Sequence, residues 1–269
     1  MNILFVSDVF GSAGSRAVQE RLPGLRDELA IDFCVVNGEN AADVCIVNGE
    51  NVADGAGITP KLADRLLRAG ADVITLGNHA YRRDGIGPYL ARSERVIRPA
   101  NAGALTPGRG LAVVDGSNGV KVAVLNVLGS LFLDTPVSPW EVIDELVEEA
   151  RAKAPVVVLD FHAEATSEKM AMARWLDGRV TAVIGTHTHV QTNDARVLPG
   201  GTAAITDAGM TGPHDSVIGV KAELAIRRMR MRLPVRFEPA EGGVRIEGVV
   251  VDCSDDGRAL GIELVRVEV

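Results

Sequence analysis

Three imidazoles stand directly after apolar runs in this chain: His162 in Phe161-His162, and His187 and His189 in Gly185-Thr186-His187-Thr188-His189. Val180 to Ile184 reads as a short buried strand, β-branched and bounded by Gly178 and Gly185. Two His spaced i, i+2 beyond such a strand aim both rings at one point if the backbone stays extended. Taken alone, the pair reads equally well as two surface loop histidines. The chain has five His, however, and four of them (His79, His162, His187, His189) follow strand-like runs beside Asn, Asp or Gly. Asp8, Asn78, Asn101, Asn126 and a doubled Asn-Gly-Glu-Asn punctuate other strand ends. Carboxylate, imidazole and amide oxygen make a mixed hard and borderline donor set, suited to Mn²⁺, Fe or Zn²⁺ over Ca²⁺ or Mg²⁺ alone, with no thiolate to select soft metals. Asp8 also reads as a helix cap and the Asn-Gly pairs as plain turns. His214 lies in a Gly/Pro loop that either touches substrate or crosses the surface.

The elements that must carry these residues alternate between strand and helix. Asn2 to Ser7 is a buried strand ending at Asp8, and Gly11 and Gly14 turn the chain into a helix over 15–29 with Val18, Leu22, Leu25 and Leu29 on one stripe. Thr59 caps a helix from Pro60 to Ala69, and a strand from Asp72 to Leu76 leads into Gly77-Asn78-His79. Leu111 to Val114 and Val120 to Val127 form a hairpin about Ser117-Asn118-Gly119. Ser138-Pro139-Trp140-Glu141 is a capping box. The strand Val156 to Asp160 ends at Phe161-His162, and Thr166 or Ser167 caps the next helix; from Val235 onward the pattern is antiparallel. This is an α/β sheet protein, and loops at the carboxyl ends of its parallel strands share one rim, so the polar groups can converge. No linker or composition break divides it: 1–269 reads as a single domain.

Hydrophobic content of 46% and charged content of 24% are those of an ordinary globular protein. The net charge of −8 provides no basic field for nucleic acid or anionic lipid, so a small anionic substrate needs a local positive centre, which bound metal ions supply. Cys34, Cys45 and Cys253 form neither a CxxC nor a disulfide framework, as expected in a reducing cytosol. Met1 to Gly11 lacks a basic n-region and is a first strand, not a signal peptide, and no run approaches eighteen apolar residues. The expectation is a cytoplasmic protein with no membrane partner; a homo-oligomer is left open.

One feature breaks the pattern. Asp32-Phe-Cys-Val-Val-Asn-Gly-Glu-Asn40 is followed by Asp43-Val-Cys-Ile-Val-Asn-Gly-Glu-Asn51, each a buried strand running into Asn-Gly-Glu-Asn. Two copies are too few for a repeat architecture, and only one can fill a central strand position.

With Asp8-x-x-Gly11, Asn-Gly-Glu-Asn, Gly77-Asn78-His79, Asp160-Phe-His-Ala-Glu-Ala-Thr-Ser-Glu168, Gly185-Thr-His-Thr-His189 and Thr206-Asp-Ala-Gly-Met-Thr-Gly-Pro213, the chain resembles the calcineurin-like metallophosphoesterases. Over nearly its whole length it is most similar to their bacterial YmdB-type branch. The resemblance implies a four-layer α-β-β-α sandwich, with a dinuclear metal site at the carboxyl ends of the strands. It implies two metal ions, Fe or Mn, with Zn or Mg as alternatives, and hydrolysis of 2′,3′-cyclic nucleotides by metal-activated hydroxide. Carried over by position, Asp8, His189 and the Asn after the bridging Glu hold one metal. Asn78, His162 and His187 hold the second, the Glu bridges both, and His79 resembles the family's general acid. The family's spacing from the amino end favours Glu39 and Asn40 as the bridging pair. Its spacing downstream favours Glu50 and Asn51, since Val52 to Thr59 continues into the helix as the family's loop does; Glu50 is preferred, because an insertion far from the rim disturbs the site less. The alternatives are a phosphatase or nucleotidase on the same site, with selectivity in Thr211 to Ser216 and around Arg98, or a regulatory binding protein with an impaired site.

Overall fold

The computed structural model describes residues 1–32, 42–117 and 119–269, with side chains from 27 to 32 left aside. In chain order the elements are β1 (Asn2–Val6), α1 (Gly11–Asp32), β2 (Val44–Asn48), α2 (Pro60–Arg68), β3 (Val73–Thr75), α3 (Ile86–Leu90), β4 (Leu111–Asp115), β5 (Lys121–Leu128) and α4 (Pro139–Arg151). They continue as β6 (Val156–His162), α5 (Thr166–Trp175), β7 (Ala182–Thr186), β8 (Arg196–Val197), β9 (Ala203–Ile205), β10 (Gly212–Pro213), α6 (Ala222–Met231), β11 (Val244–Cys253) and β12 (Ala259–Glu268).

Among the described residues the strands form two six-stranded sheets. In the first, β1, β2 and β3 are parallel and β11 pairs antiparallel to β1, carrying β12 and β10. In the second, ordered β4-β5-β6-β7-β9-β8, the four inner strands are parallel and both edge strands antiparallel. Alternation along β1 sends its side chains to different cores. Leu4 and Val6 join Ala17, Val18, Leu22 and Leu25 of α1 and Leu66 of α2, whereas Ile3 and Phe5 join Val122, Val124, Val156, Val158 and Ile184 of the second sheet. A third cluster sets Leu125, Leu159 and Phe161 against Ile143 and Val147 of α4 and Met172 of α5.

Helix starts follow local chemistry where a cap is present. The Thr59 hydroxyl accepts from the Leu62 N–H at 3.3 Å, and the Ser138 hydroxyl accepts from the Trp140 N–H at 3.3 Å. At α5 the expected cap does not form: Thr166 is already helical, and Ala165 occupies the cap position without a side-chain bond. The 4%-exposed Glu168 carboxylate in its first turn instead accepts from the N–H groups of Ser130 and Leu131. No helix among the described residues is long and apolar enough to cross a membrane.

The second copy of the duplicated segment is β2, a fully buried central strand between β1 and β3. Glu39 and Asn40 lie outside the described residues. Asp8, Glu50 with Asn51, Asn78 with His79, His162 and His187 thus stand at or just beyond the carboxyl ends of β1, β2, β3, β6 and β7.

Candidate metal centre

The rim is built by turns that point polar groups inward. Asn48, the last residue of β2, accepts the Glu50 N–H on Oδ1 (3.2 Å) and donates from Nδ2 to Asp160 Oδ2 (2.9 Å), so the Glu50 turn is tied to the neighbouring sheet. The Glu50 carboxylate is fully buried. Its Oε1 lies 3.1 Å from His162 Nε2, 3.1 Å from Asn51 Nδ2 and 3.4 Å from His79 Nδ1, and its Oε2 accepts the His79 N–H at 3.1 Å. Gly77 makes this approach possible. A Cβ there would sit 2.1 Å from Glu50 Oε2 and 2.4 Å from His162 Nε2, so no residue with a side chain fits.

Two groups of donors flank Glu50. On one side Asn51 Nδ2 is 3.1 Å from His189 Nε2 and 3.5 Å from Asp8 Oδ1, with His189 Nε2 at 3.8 Å from the same Asp8 oxygen. On the other, His162 Nε2 is 3.2 Å from Asn78 Oδ1 and 3.1 Å from His187 Nδ1. Donor atoms of Glu50, His162 and His187 all lie within 4.8 Å of one another. His79 is half-buried, with Nδ1 at 3.0 Å from Asn51 Oδ1.

The His-x-His segment reaches this geometry by a route other than the extended one its spacing suggests. β7 ends at Thr186, and His187 and His189 take φ values of 98° and 64°. Asp8 Oδ2 accepts the His187 N–H at 2.9 Å, and the Asp207 carboxylate accepts both the Thr188 N–H and hydroxyl, holding the turn from two sides. The buried Lys169 ammonium, 2.9 Å from Asp207 Oδ2, balances that carboxylate.

Each inward imidazole has an acceptor on its outer nitrogen. His162 Nδ1 faces Thr186 Oγ1 at 2.9 Å, and that hydroxyl donates to Asp160 at 2.7 Å; His187 Nε2 faces Glu164 Oε2 at 3.1 Å; His189 Nδ1 faces the Ile218 carbonyl at 3.1 Å. Bound this way on their outer nitrogens, the rings turn His162 Nε2, His187 Nδ1 and His189 Nε2 inward.

Electrostatics follow from crowding charge in a buried site. Burial alone would raise Glu50, but charge and hydrogen bonds from His162 and His79 outweigh it and hold the carboxyl well below the usual range. Burial would lower His162, yet Glu50, Asp8 and Asp160 push it up to about 9. Burial, then the His162 charge, pushes His187 down to about 3. Burial raises Asp8, and raises Asp160 to about 6.

Sequence reasoning did not single out Glu164, Thr186 or Asp160 as supports of the rings; the only signal was that all three fall inside the matched runs. Other polar strand ends are structural. Asn101 ties Leu128, Thr135 and Val137 together, and Asn126 Oδ1 accepts from the Leu76 N–H at 3.4 Å. In the loop around Arg98, where selectivity is expected, the Arg98 side chain itself is buried and donates to the carbonyls of Pro99, Ala100 and Thr106. His214 donates from Nε2 to the Met210 carbonyl at 3.0 Å, and Thr211 is fully buried.

A cavity of about 220 Å³ opens beside the cluster, with Glu50, Asn51, His79, His187 and His189 on one side and Phe10, Ile218, Val220, Phe237 and Pro239 on the other.

A family model described as YmdB-like protein matches residues 4–43 and 41–265, two pieces that meet in the duplicated segment. A Bacillus subtilis (strain 168) protein named 2′,3′-cyclic-nucleotide 2′-phosphodiesterase is 44% identical over 268 residues, 99% of this chain and 97% of that one. The structure of a hypothetical protein from Thermus thermophilus superposes with a TM-score of 0.90 at 39% identity, covering 100% of this chain and 99% of the other. A structure described as a novel phosphatase from Mycoplasma pneumoniae superposes with a TM-score of 0.88 at 32% identity, covering 100% and 93%. The chain belongs to the YmdB-like family of calcineurin-like phosphoesterases.

Proposed function

We propose that this protein is a dimetal phosphodiesterase that hydrolyses 2′,3′-cyclic nucleotides. The residues fit such a centre. Three imidazole nitrogens whose outer partners are all occupied, two buried carboxylates and two amide side chains converge on one small region, a donor set suited to a pair of borderline divalent ions. Asp8, Asn51 and His189 would hold one ion, Asn78, His162 and His187 the other, and Glu50 would bridge them. Ions held there would supply a water of lowered pKa and polarisation of the phosphoryl oxygens.

The remaining work belongs to side chains of this chain. His79 is the general acid: its half-buried ring stands beside Asn51 and Glu50 on the wall of the cavity, from where its proton goes to the departing ribose oxygen. Thr186, Glu164 and the Ile218 carbonyl keep the three imidazoles oriented, and the cavity beside them takes the rest of the substrate.

The observation that carries the reading is the fully buried Glu50 carboxylate, whose Oε1 lies 3.1 Å from His162 Nε2 on one side and 3.1 Å from the Asn51 side-chain amide on the other. The name of the Bacillus subtilis relative, 44% identical over almost the whole chain, supports the substrate class. We further read the molecule as one domain over 1–269 with helix, sheet, sheet and helix layers, supported by the three separate cores. The metals are taken to be iron or manganese, with zinc or magnesium as the alternatives. Residence is taken to be cytoplasmic, supported by the buried free thiols of Cys45 and Cys253.

The test is metal analysis and turnover of 2′,3′-cyclic AMP on the same purified sample, with the product identified. Two equivalents of metal and release of a nucleoside monophosphate support the proposal; active protein with no bound metal refutes it. The name of the Mycoplasma pneumoniae structure favours a phosphatase as the second reading, and a parallel panel of phosphomonoesters separates the two.

A further inference from the structure

The proposed function accounts for the polar side of the cavity, and its other side is of a different chemical kind. Phe10 is buried, meets the His189 ring edge-on with centroids 5.7 Å apart, and backs onto Gly55 and Gly219, where any Cβ would come within 2.6 Å of its ring. Phe237 and Ile218 line the same cavity but are not core: they are 40% and 52% exposed. Both are nevertheless held in place. Ile218 has φ 47°, a left-handed conformation that a β-branched residue adopts only where its surroundings impose it. Its carbonyl is the His189 partner described above. The Arg228 guanidinium lies over one face of the Phe237 ring, its carbon 4.9 Å from the ring centroid. The neck of the segment from 218 to 239 is closed by pairing of Val220 with Pro239, by the Lys221 N–H donating to the Glu238 carbonyl at 3.0 Å, and by the Lys221–Glu238 ion pair at 2.7 Å.

We propose that Phe237, with Ile218 beside it, is the nucleobase wall of the site, and that it accepts all four bases. This rests on the phosphodiesterase reading and extends it. An exposed aromatic face held beside a phosphoester site is what a flat π-surface stacks on, and such stacking tolerates any base. Selecting one base requires donors or acceptors aimed at its edge. The carboxylates on this side, Glu238 and Asp54, lie 2.7 Å from Lys221 and 3.8 Å from Arg83, and the other side chains of the wall are hydrocarbon.

The experiment measures kcat and KM of the metal-loaded full chain on the 2′,3′-cyclic phosphates of adenosine, guanosine, cytidine and uridine, and on the base-free methyl riboside 2′,3′-cyclic phosphate. The wall predicts kcat/KM values for the four nucleotides within about tenfold of one another, and a base-free substrate at least about tenfold poorer than adenosine, chiefly through KM. Phe237→Ala shrinks that adenosine-to-base-free ratio to below about threefold, while Phe237→Trp keeps it at the wild-type value. Phe237→Leu serves the same comparison should the alanine variant fail to fold. A wild-type preference beyond about tenfold for one base, or an unchanged ratio in the variants lacking the aromatic face, overturns the proposal. If the wild type hydrolyses none of the five substrates, the phosphodiesterase reading fails and the wall with it; if it hydrolyses all five equally well, only the wall fails.

Discussion

The main-chain oxygen of Ile218 lies 3.1 Å from Nδ1 of His189, and both residues sit in left-handed backbone, at φ 47° and 64°. The contact selects a tautomer. With Nδ1–H donating to a carbonyl, Nε2 is the unprotonated nitrogen, and it is the one facing Asn51 and Asp8. The carbonyl does this work, so the strain at Ile218 is separable from it. Ile218→Asn keeps the carbonyl and suits a left-handed φ, and should stabilise the protein by about 1 kcal/mol. Urea unfolding checks this; a lower midpoint would show that the isoleucine side chain contributes more than its backbone costs.

Glu50 and Glu39 occupy equivalent positions in the duplicated segment, but β2 is built from the second copy. Glu50→Ala should therefore lose bound metal and lower turnover by roughly a hundredfold or more, whereas Glu39→Ala keeps both. Metal analysis with kinetics on the two variants decides it, and the reverse pattern would move the bridging role to Glu39.

Gly77→Ala should be more damaging than its size suggests. The added methyl carbon would stand 2.1 Å from Glu50 Oε2 and 2.4 Å from His162 Nε2, and both groups are fully buried. Overpacking of this kind costs about 1–3 kcal/mol, and here the groups that must give way are proposed ligands. The expected result is a folded protein by circular dichroism with metal content well below that of the wild type.

Glu164 meets the site at His187, whose Nε2 lies 3.1 Å from its carboxylate. Its role is positioning. Glu164→Ala should lower metal affinity or activity by about 10–100-fold, and Glu164→Gln, which keeps an acceptor oxygen, should recover part of the loss. Metal titration of the two variants reads this directly.

Stripped of metal by a chelator, the protein should depend on pH through the Glu50–His162 pair. His162 is raised from 6.5 to about 9, so its contribution to stability is fully present below pH 6.5 and is lost as pH rises through about 9. Glu50 is depressed, so its contribution is present above pH 4.5 and lost as pH falls through its lowered value. The buried thiols of Cys45 and Cys253, raised by burial to about 12, also weaken the fold as pH climbs past 9. Thermal melts of chelated wild type and Glu50→Gln separate the two effects: the variant should keep the thiol component and lose much of the His162 component.

Several features were legible along the chain because they depend on neighbours in sequence. β-Branched runs ending in Asn, Asp or His marked β1, β2, β3, β6 and β7 and the residues at their carboxyl ends, and Thr59 and Ser138 announced their helices through bonds closing within three residues. The matching runs identified the family. Folding had to decide whatever depends on groups distant along the chain. His187 bends because Asp8, 179 positions away, accepts its N–H, so the His-x-His segment is left-handed where spacing suggested it was extended. Ile218 and Glu164 hold rings whose proton positions no local pattern encodes. Arg98 stands in a loop where selectivity was expected, and only the fold shows that carbonyls of its own loop claim its side chain. The doubled Asn-Gly-Glu-Asn is the plainest case: two nearly identical stretches have equal claim on one slot, and only pairing with β1 and β3 assigns that slot to Val44–Asn48.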